Sequence, residues 1–239
     1  MQTEPSRTGI VMAKSESSVD RIYDHLRKMA VNFEFKPEER INESALSADL
    51  GASRTPLREA LNRLVAEGFL TFKNGRGFFC RALSPTRIME LYEARIAIEC
   101  EALRRAIERA TDEQLAGLSD YLDRVEETYK SCRDLTKLIE MDEEFHFRIA
   151  ELSNNSEFLR LMENINDRIR YVRIINLDML IRSEGEAGAL SSHRVLLNAV
   201  LSRDADEAVK VMRGHIERRR EQVTETVRRA YSQLYVPVN

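Results

Sequence analysis

The sequence predicts a mainly α-helical protein made of two unlike parts: three short helices with a small β-hairpin, then an all-α antiparallel helical bundle. Three observations predict it. Only nine of the 239 residues are Gly and five are Pro, too few for a chain of many strands and tight turns. Apolar residues recur at spacings of three and four through most of the length. The period shortens to two only in FLTFK and GFFCRAL, around the tip Asn74-Gly75-Arg76-Gly77, which is the pattern of a hairpin.

The elements follow in order. Residues 1–18 are polar and unpatterned and are expected to be a flexible segment. From Val19 a helix is set by Ile22, Leu26, Met29 and Ala30 on one face. Phe33 to Arg40, holding Pro37, is a connection. ESALSADL forms a short helix broken at Gly51, and RTPLREALNRLVAEG forms the next, with Ser53 at its N-cap and Pro56 in the first turn, where it removes no helical hydrogen bond. Leu57, Leu61 and Leu64 make the apolar stripe of that helix, and Arg54, Arg58 and Glu59 fall off it. The hairpin follows, and Ser84-Pro85 closes the unit. Helices are then expected near 84–109, 112–131, 134–152, 156–181, 186–201 and 205–230. The domain boundaries so defined are 19–83 and 84–239.

Composition narrows the function. The net charge of −3 argues against indiscriminate coating of nucleic acid. Residues 1–83 carry 13 Lys+Arg against 11 Asp+Glu and residues 84–239 carry 24 against 29, so any DNA contact must come from a local cluster. Cys80, Cys100 and Cys132 are well separated, contain no Cys-x-x-Cys pair, and read as reduced, packed thiols. No apolar run is long enough to span a bilayer and the N-terminus lacks a signal-peptide core, so a soluble cytoplasmic protein without membrane contact is expected.

Two short helices around a Gly turn, followed by a hairpin, describe a winged helix-turn-helix. Its second helix enters the major groove, with base-reading residues near its N-terminus and flanking groups on phosphates. Arg54 and Arg58 are placed for guanine edges or phosphates. Ser53 and Thr55 are placed to donate to phosphate oxygens at the positive end of the helix, and Arg76 at the hairpin tip to enter the minor groove. Each arginine taken alone is more often a solvated surface residue than a base reader, and it is their combination on one short segment that points to DNA.

The second half holds three of the four histidines, and they are arranged for one metal ion. Asp142 and His146, four apart in MDEEFHFRIAEL, share a helix face. His193 and His215 lie on two helical stretches joined by Ser202-Arg203-Asp204. If these fold back on each other, the two histidines stand at heights differing by only about 3 Å at 1.5 Å per residue. The competing reading is that these are packing histidines. Three imidazoles and a carboxylate suit Zn, Ni, Mn or Fe rather than Ca.

The run ESALSADLGASRTPLREALNRLVAEGFLTFKNGRGFFC resembles the DNA-binding domain of the GntR family of bacterial transcriptional regulators, through Ser53 to Leu64, Glu67-Gly68-Phe69 and the wing Gly75-Arg76-Gly77. The family's Pro-Gly before the second helix is Pro37-Glu38 here. Residues 84–239 resemble the all-helical effector domain of the FadR subfamily, called FCD, through ELYEARIAIECEAL, TDEQLAGL, Asp142 with His146, Ser192-His193-Arg194 and Met212-Arg213-Gly214-His215. The resemblance implies a homodimer on double-stranded operator DNA, contacted by Arg54, Arg58 and the wing. It also implies a divalent ion on Asp142, His146, His193 and His215, and a small carboxylate metabolite as effector. Arg95, in YEAR, is the implied effector anchor; a salt bridge to Glu99 or Glu101 is its other reading. Tyr171 and Arg173 are further candidates for the cavity wall. A repressor relieved by its ligand is the expected function, with no enzymatic activity. Two alternatives stand beside it: a metal hydrolase with Glu143 or Glu144 as base, and a regulator whose ion is structural or is itself the signal.

Overall fold

The computed structural model describes residues 18–184 and 186–236, so the segment expected at 1–18 lies almost wholly outside the described residues. Helix α1 (Ser18–Val31) packs across α3 (Arg54–Ala66), with α2 (Glu43–Asp49) between them in sequence. Leu26, Ala30, Leu57, Leu61, Leu64, Phe69 and Phe78 form the core of this unit, all buried. Asn42 caps α2 by accepting from the Ala45 backbone N–H, and the chain leaves α2 through Gly51 at φ +57. Ser53 is the N-cap of α3, but its hydroxyl makes no capping hydrogen bond and stays exposed.

Strands β1 (Leu70–Lys73) and β2 (Gly77–Cys80) pair antiparallel, Leu70 opposite Cys80 and Lys73 opposite Gly77. The tip turns where Arg76 N–H donates to Lys73 C=O at 2.9 Å over Gly75 at φ +69, a backbone that costs glycine nothing. The connection expected at Phe33–Arg40 is not all loop. Cys80 N–H donates to Glu39 C=O and Ile41 N–H to Phe78 C=O, both at 2.9 Å, so Glu39 to Ile41 add a third edge to the wing. KPEERI is too short and too polar to announce that by alternation.

The rest is helical: α4 (Pro85–Arg109), α5 (Asp112–Ser131), α6 (Leu135–Glu151), α7 (Ser156–Glu184), α8 (Glu186–Leu201), α9 (Ala205–Arg220) and α10 (Val223–Tyr235). Side-chain caps fix the starts of α5, α6 and α9: Thr111 with Gln114 in a reciprocal capping box, Asp134, and Asp204. The expected single helix over 205–230 is two. It breaks at Glu221-Gln222, where Asn176 donates to Gln222 Oε1 at 2.9 Å, and the bend buries Val223, Thr226, Val227 and Ala230. Helix α4 runs through the bundle core against α7 and α9. Among the described residues no helix is long and apolar enough to cross a membrane.

The two parts meet on α7. Arg27 of α1 pairs with Glu163 at 3.1 Å and Asp167 at 3.0 Å, and Asn164 donates to Glu67 C=O at 3.0 Å. Buried Arg81 donates to Ala30 C=O at 2.5 Å and Arg168 C=O at 3.4 Å while its guanidinium lies 4.2 Å from the Phe33 ring centre. Gly68, at φ +81, has the Arg168 guanidinium so close that a Cβ would stand 3.0 Å from its Cζ.

Candidate metal centre and nucleic-acid interface

Three helices deliver the four ligand atoms, one of them two. Helix α6 brings Asp142 and His146, α8 brings His193, and α9 brings His215, the last two facing each other across the Ser202–Asp204 turn. Their donor atoms all lie within 4.8 Å of one another, and the three imidazoles are buried. Ring centres are 5.6 Å apart for His146 and His193, 5.2 Å for His146 and His215, and 4.9 Å for His193 and His215. Ligands at about 2.1 Å from one ion stand roughly 3 to 4.3 Å apart, so this group needs to contract by only about half an ångström.

The hydrogen bonds around the group point the same way. His146 Nδ1 lies 2.6 Å from Glu99 Oε2. A carboxylate accepts only, so Nδ1 carries the proton and Nε2 keeps its lone pair, buried and without a partner. His193 Nε2 is 3.2 Å from Asp142 Oδ1 but is not aligned for a hydrogen bond, and also lacks a partner. Two unpartnered imidazole nitrogens in a dry pocket, beside a carboxylate, are a costly arrangement unless something bridges them. The donor set therefore fits a divalent cation. Burial, with repulsion from the neighbouring cationic forms, holds His215 well below the usual histidine range; burial also lowers His193 against the pull of Asp142. Both rings are thus neutral, as ligands must be. Burial works to raise the Asp142 carboxyl, yet Arg173 and His193 hold it well below the usual range.

A ring of charged groups the sequence did not reveal supports these ligands. Glu99 is 2% exposed and accepts from both His146 and Arg95 Nε. Burial opposes its ionisation, but Arg95 and His146 outweigh that and bring it down to about 2. Arg173 donates to Asp142 Oδ2 and, at 2.7 Å, to Glu143 Oε1, whose other oxygen takes Arg170. Carboxylates that orient histidine ligands in this manner tune the basicity of the ligand.

Arg95 makes the ion pair that is its other reading and still keeps one nitrogen free. It pairs with Glu99, not with Glu101, which pairs with Arg105 at 2.7 Å; and it lines a cleft at the cluster with Nη2 buried and unpartnered. The cleft is narrow and walled by Tyr92, Arg95, Asp142, Arg173, His215 and Arg219 among others. A wider one adjoins it, sharing His215 and Arg219 and adding Ser192, Arg218, Glu221 and Gln222. Tyr171 is not part of either. Its ring packs edge-on against Phe33, centres 5.5 Å apart, at the junction with the winged unit.

On the winged unit Ser53, Arg54, Thr55 and Arg58 are exposed on the first turns of α3, and Arg76 on the hairpin tip, beside half-buried Gly77. Arg58 is steered by Glu43 at 3.3 Å and lies 5.5 Å from the Phe78 ring centre. Arg54 and Arg58 share a cleft with Arg40, and Lys73 stands over the Phe79 ring at 4.5 Å; neither Arg40 nor Lys73 was singled out by the sequence. The signal for Arg40 was its place beside the wing, visible only once the third edge is known.

Comparison with known proteins agrees with this layout. The family described as bacterial regulatory proteins, gntR family, matches residues 18–80, and the FCD domain matches residues 90–218. The Nta operon transcriptional regulator of Aminobacter aminovorans is 40% identical over 207 residues, covering 87% of this chain and 95% of that protein. The uncharacterized HTH-type transcriptional regulator YdhC of Bacillus subtilis is 32% identical over 195 residues, covering 82% and 86%. Among solved structures, E. coli McbR/YncC superposes with a TM-score of 0.64 over 90% of this chain and 99% of that one; at 22% identity this speaks to the fold alone.

Proposed function

The chain belongs to the GntR family of bacterial regulatory proteins, as a DNA-binding transcriptional regulator with an FCD effector domain, and from that premise we propose that it is a cytoplasmic homodimeric repressor whose operator affinity is set by a small carboxylate bound beside a divalent ion. One observation carries the reading: the donor atoms of Asp142, His146, His193 and His215 converge within 4.8 Å beside the unpartnered Nη2 of Arg95. An ion of the Zn, Ni, Mn or Fe class supplies open positions for a carboxylate oxygen when bound there. Arg95 anchors the acid's second oxygen, Glu99 fixes the His146 tautomer, and Arg173 holds the Asp142 oxygen turned away from the group.

The boundary between DNA-binding and effector domains is drawn at Ser84, giving 19–83 and 84–239. Arg54 and Arg58 read or grip the major groove, Ser53 and Thr55 hold phosphates, and Arg76 with Gly77 follows the minor groove. A two-fold dimer then addresses half-sites about 34–36 Å apart. Binding of the acid shifts the arrangement of α4 and α7 and so the spacing of the two recognition helices.

A hydrolase is disfavoured by the candidate bases themselves. Both oxygens of Glu143 are held by Arg170 and Arg173, and Glu144 lies out on the surface with Arg148 at 2.8 Å. The test is a thermal-shift screen of metal-analysed protein against small organic acids, with and without chelator, followed by operator titration. Chelator-sensitive stabilisation by an acid that also weakens operator binding is expected. Stabilisation by metal alone, with operator affinity following the metal, would replace the effector reading with a structural or sensed ion.

A further inference from the structure

The structure assigns a second anion anchor to the effector cleft, Arg219, and with it a ligand class: we propose that the effector carries at least two acid groups, one at the metal group and Arg95, the other at Arg219. This rests on the reading of the cleft as a metal-assisted carboxylate site.

Around the cluster the buried ions close on one another: Arg95 with Glu99, Arg173 with Asp142 and Glu143, Arg170 with Glu143. Three guanidiniums thus meet three carboxylates. Imidazoles ligate an ion as neutral rings, so a divalent ion on His146, His193 and His215 adds two positive charges that no side chain in this ring offsets. Arg219 adds a third. It is half-buried on the last turn of α9 and, among the described residues, has no hydrogen-bond or ion-pair partner, whereas its neighbour Arg220 pairs with Glu93 at 3.3 Å. Arg218 and Glu221, which also line the outer cleft, are of opposite charge and leave this count unchanged, so a monocarboxylate would leave two positive charges uncompensated; each further acid group removes one.

Position agrees with charge. Arg219 is four residues after His215 on one helix, hence on the same face and about 6 Å along it. The two residues are the shared wall of the inner and outer clefts, so a molecule reaching from the cluster toward the opening passes Arg219. Ser192 and Gln222 line the outer cleft and are suited to a polar second end, while the inner cleft offers Tyr92, Ile139 and Leu177 to a short carbon chain.

The experiment is isothermal titration of metal-loaded full-length protein with malonate, succinate and glutarate, each against the monocarboxylate of equal carbon number, propionate, butyrate or pentanoate. At least one diacid is expected to bind roughly tenfold or more tightly than its partner. Arg219→Gln should abolish that advantage while leaving monoacid affinity within about threefold, and Arg219→Lys should keep part of it, with metal content unchanged in both. Equal binding of diacids and monoacids by the wild type overturns the proposal, as does a diacid advantage that survives Arg219→Gln or a variant that weakens both classes alike. The wild-type comparison decides the matter even if a variant fails to fold. Binding of no acid of either class by protein shown to hold its metal removes the effector reading itself, and this inference falls with it.

Discussion

Replacing Glu99 by Gln tests whether the buried carboxylate builds the metal group or merely fills space. Glu99 offers acceptors to two donors at once, His146 Nδ1–H at 2.6 Å and Arg95 Nε–H. Glutamine has one acceptor oxygen, and its amide faces the remaining donor with another donor. Either His146 loses the partner that fixes its tautomer, or Arg95, 3% exposed, loses its counter-ion. Loss of such an orienting partner costs about 10- to 100-fold in metal affinity, which is about 1.4–2.7 kcal/mol. The metal-free fold should lose about 1–3 kcal/mol from the mismatched buried donor. Metal competition against a chromophoric chelator reads the first quantity and chemical denaturation of the metal-free protein the second. Glu101→Gln is the control, since Glu101 lies on the same helix but pairs with Arg105 on the surface and should change neither. A Glu99→Gln protein whose metal affinity stays within about twofold of wild type would refute the reasoning, whatever its stability.

Arg58→Ala should abolish operator binding in a mobility-shift titration while metal content is unchanged; loss of both would mean a folding defect. Arg40→Ala should weaken binding evenly across operator sequences and lower the salt dependence by about one phosphate contact. His193→Ala should spare operator binding but weaken both metal retention and the response to the acid, and an unchanged response would sink the ion as anchor. Arg27→Ala, which removes the contacts to Glu163 and to largely buried Asp167, should cost about 1–3 kcal/mol of stability and reduce the effect of the acid on operator affinity; full coupling in that variant would exclude this junction as a route. Burial pushes the Cys80 and Cys100 thiols up to about 11 from 9. Because these pKa values are raised in the fold, their contribution to stability is complete below about pH 9 and is lost as pH climbs from 9 toward 11. Iodoacetamide at neutral pH should accordingly modify half-buried Cys132 first, and mass spectra showing Cys80 or Cys100 labelled before unfolding would contradict it.

Much of the scaffold and the four candidate ligands could be read from the chain because their signals are local. Helix ends carry their own chemistry at Thr111, Asp134 and Asp204, and Asp142 with His146 needs only the pitch of one helix. His193 and His215 needed one short turn between two helices. What could not be read depends on packing between distant segments. Glu99 looks like one half of an ordinary i, i+4 pair with Arg95; its second partner, His146, comes from another helix 47 residues away. Arg173 appeared as one candidate wall residue, but its grip on Asp142 and Glu143 exists only because α6 lies against α7. The break at Glu221-Gln222 has no Gly or Pro to mark it and is held by burial of Val223 and Val227 and by Asn176.

Helix α7 joins the two functions, and its length makes the coupling physical. Glu163, Asn164 and Arg168 C=O touch the winged unit, while Arg170 and Arg173, about 3 to 15 Å further along, hold Glu143 and Asp142. On the proposed function, an acid that competes for Arg173 or draws Asp142 inward would change the forces on the same helix that α1 and Arg81 grip. Effective switching needs a coupling of about 1–3 kcal/mol between sites. An exposed pair such as Arg27–Glu163 is worth up to about 1 kcal/mol, and the charged, buried hydrogen bonds of Arg81 about 1.5–3 each. The junction therefore holds enough energy to transmit the change, and little enough that a ligand's preference for one arrangement can decide which is populated.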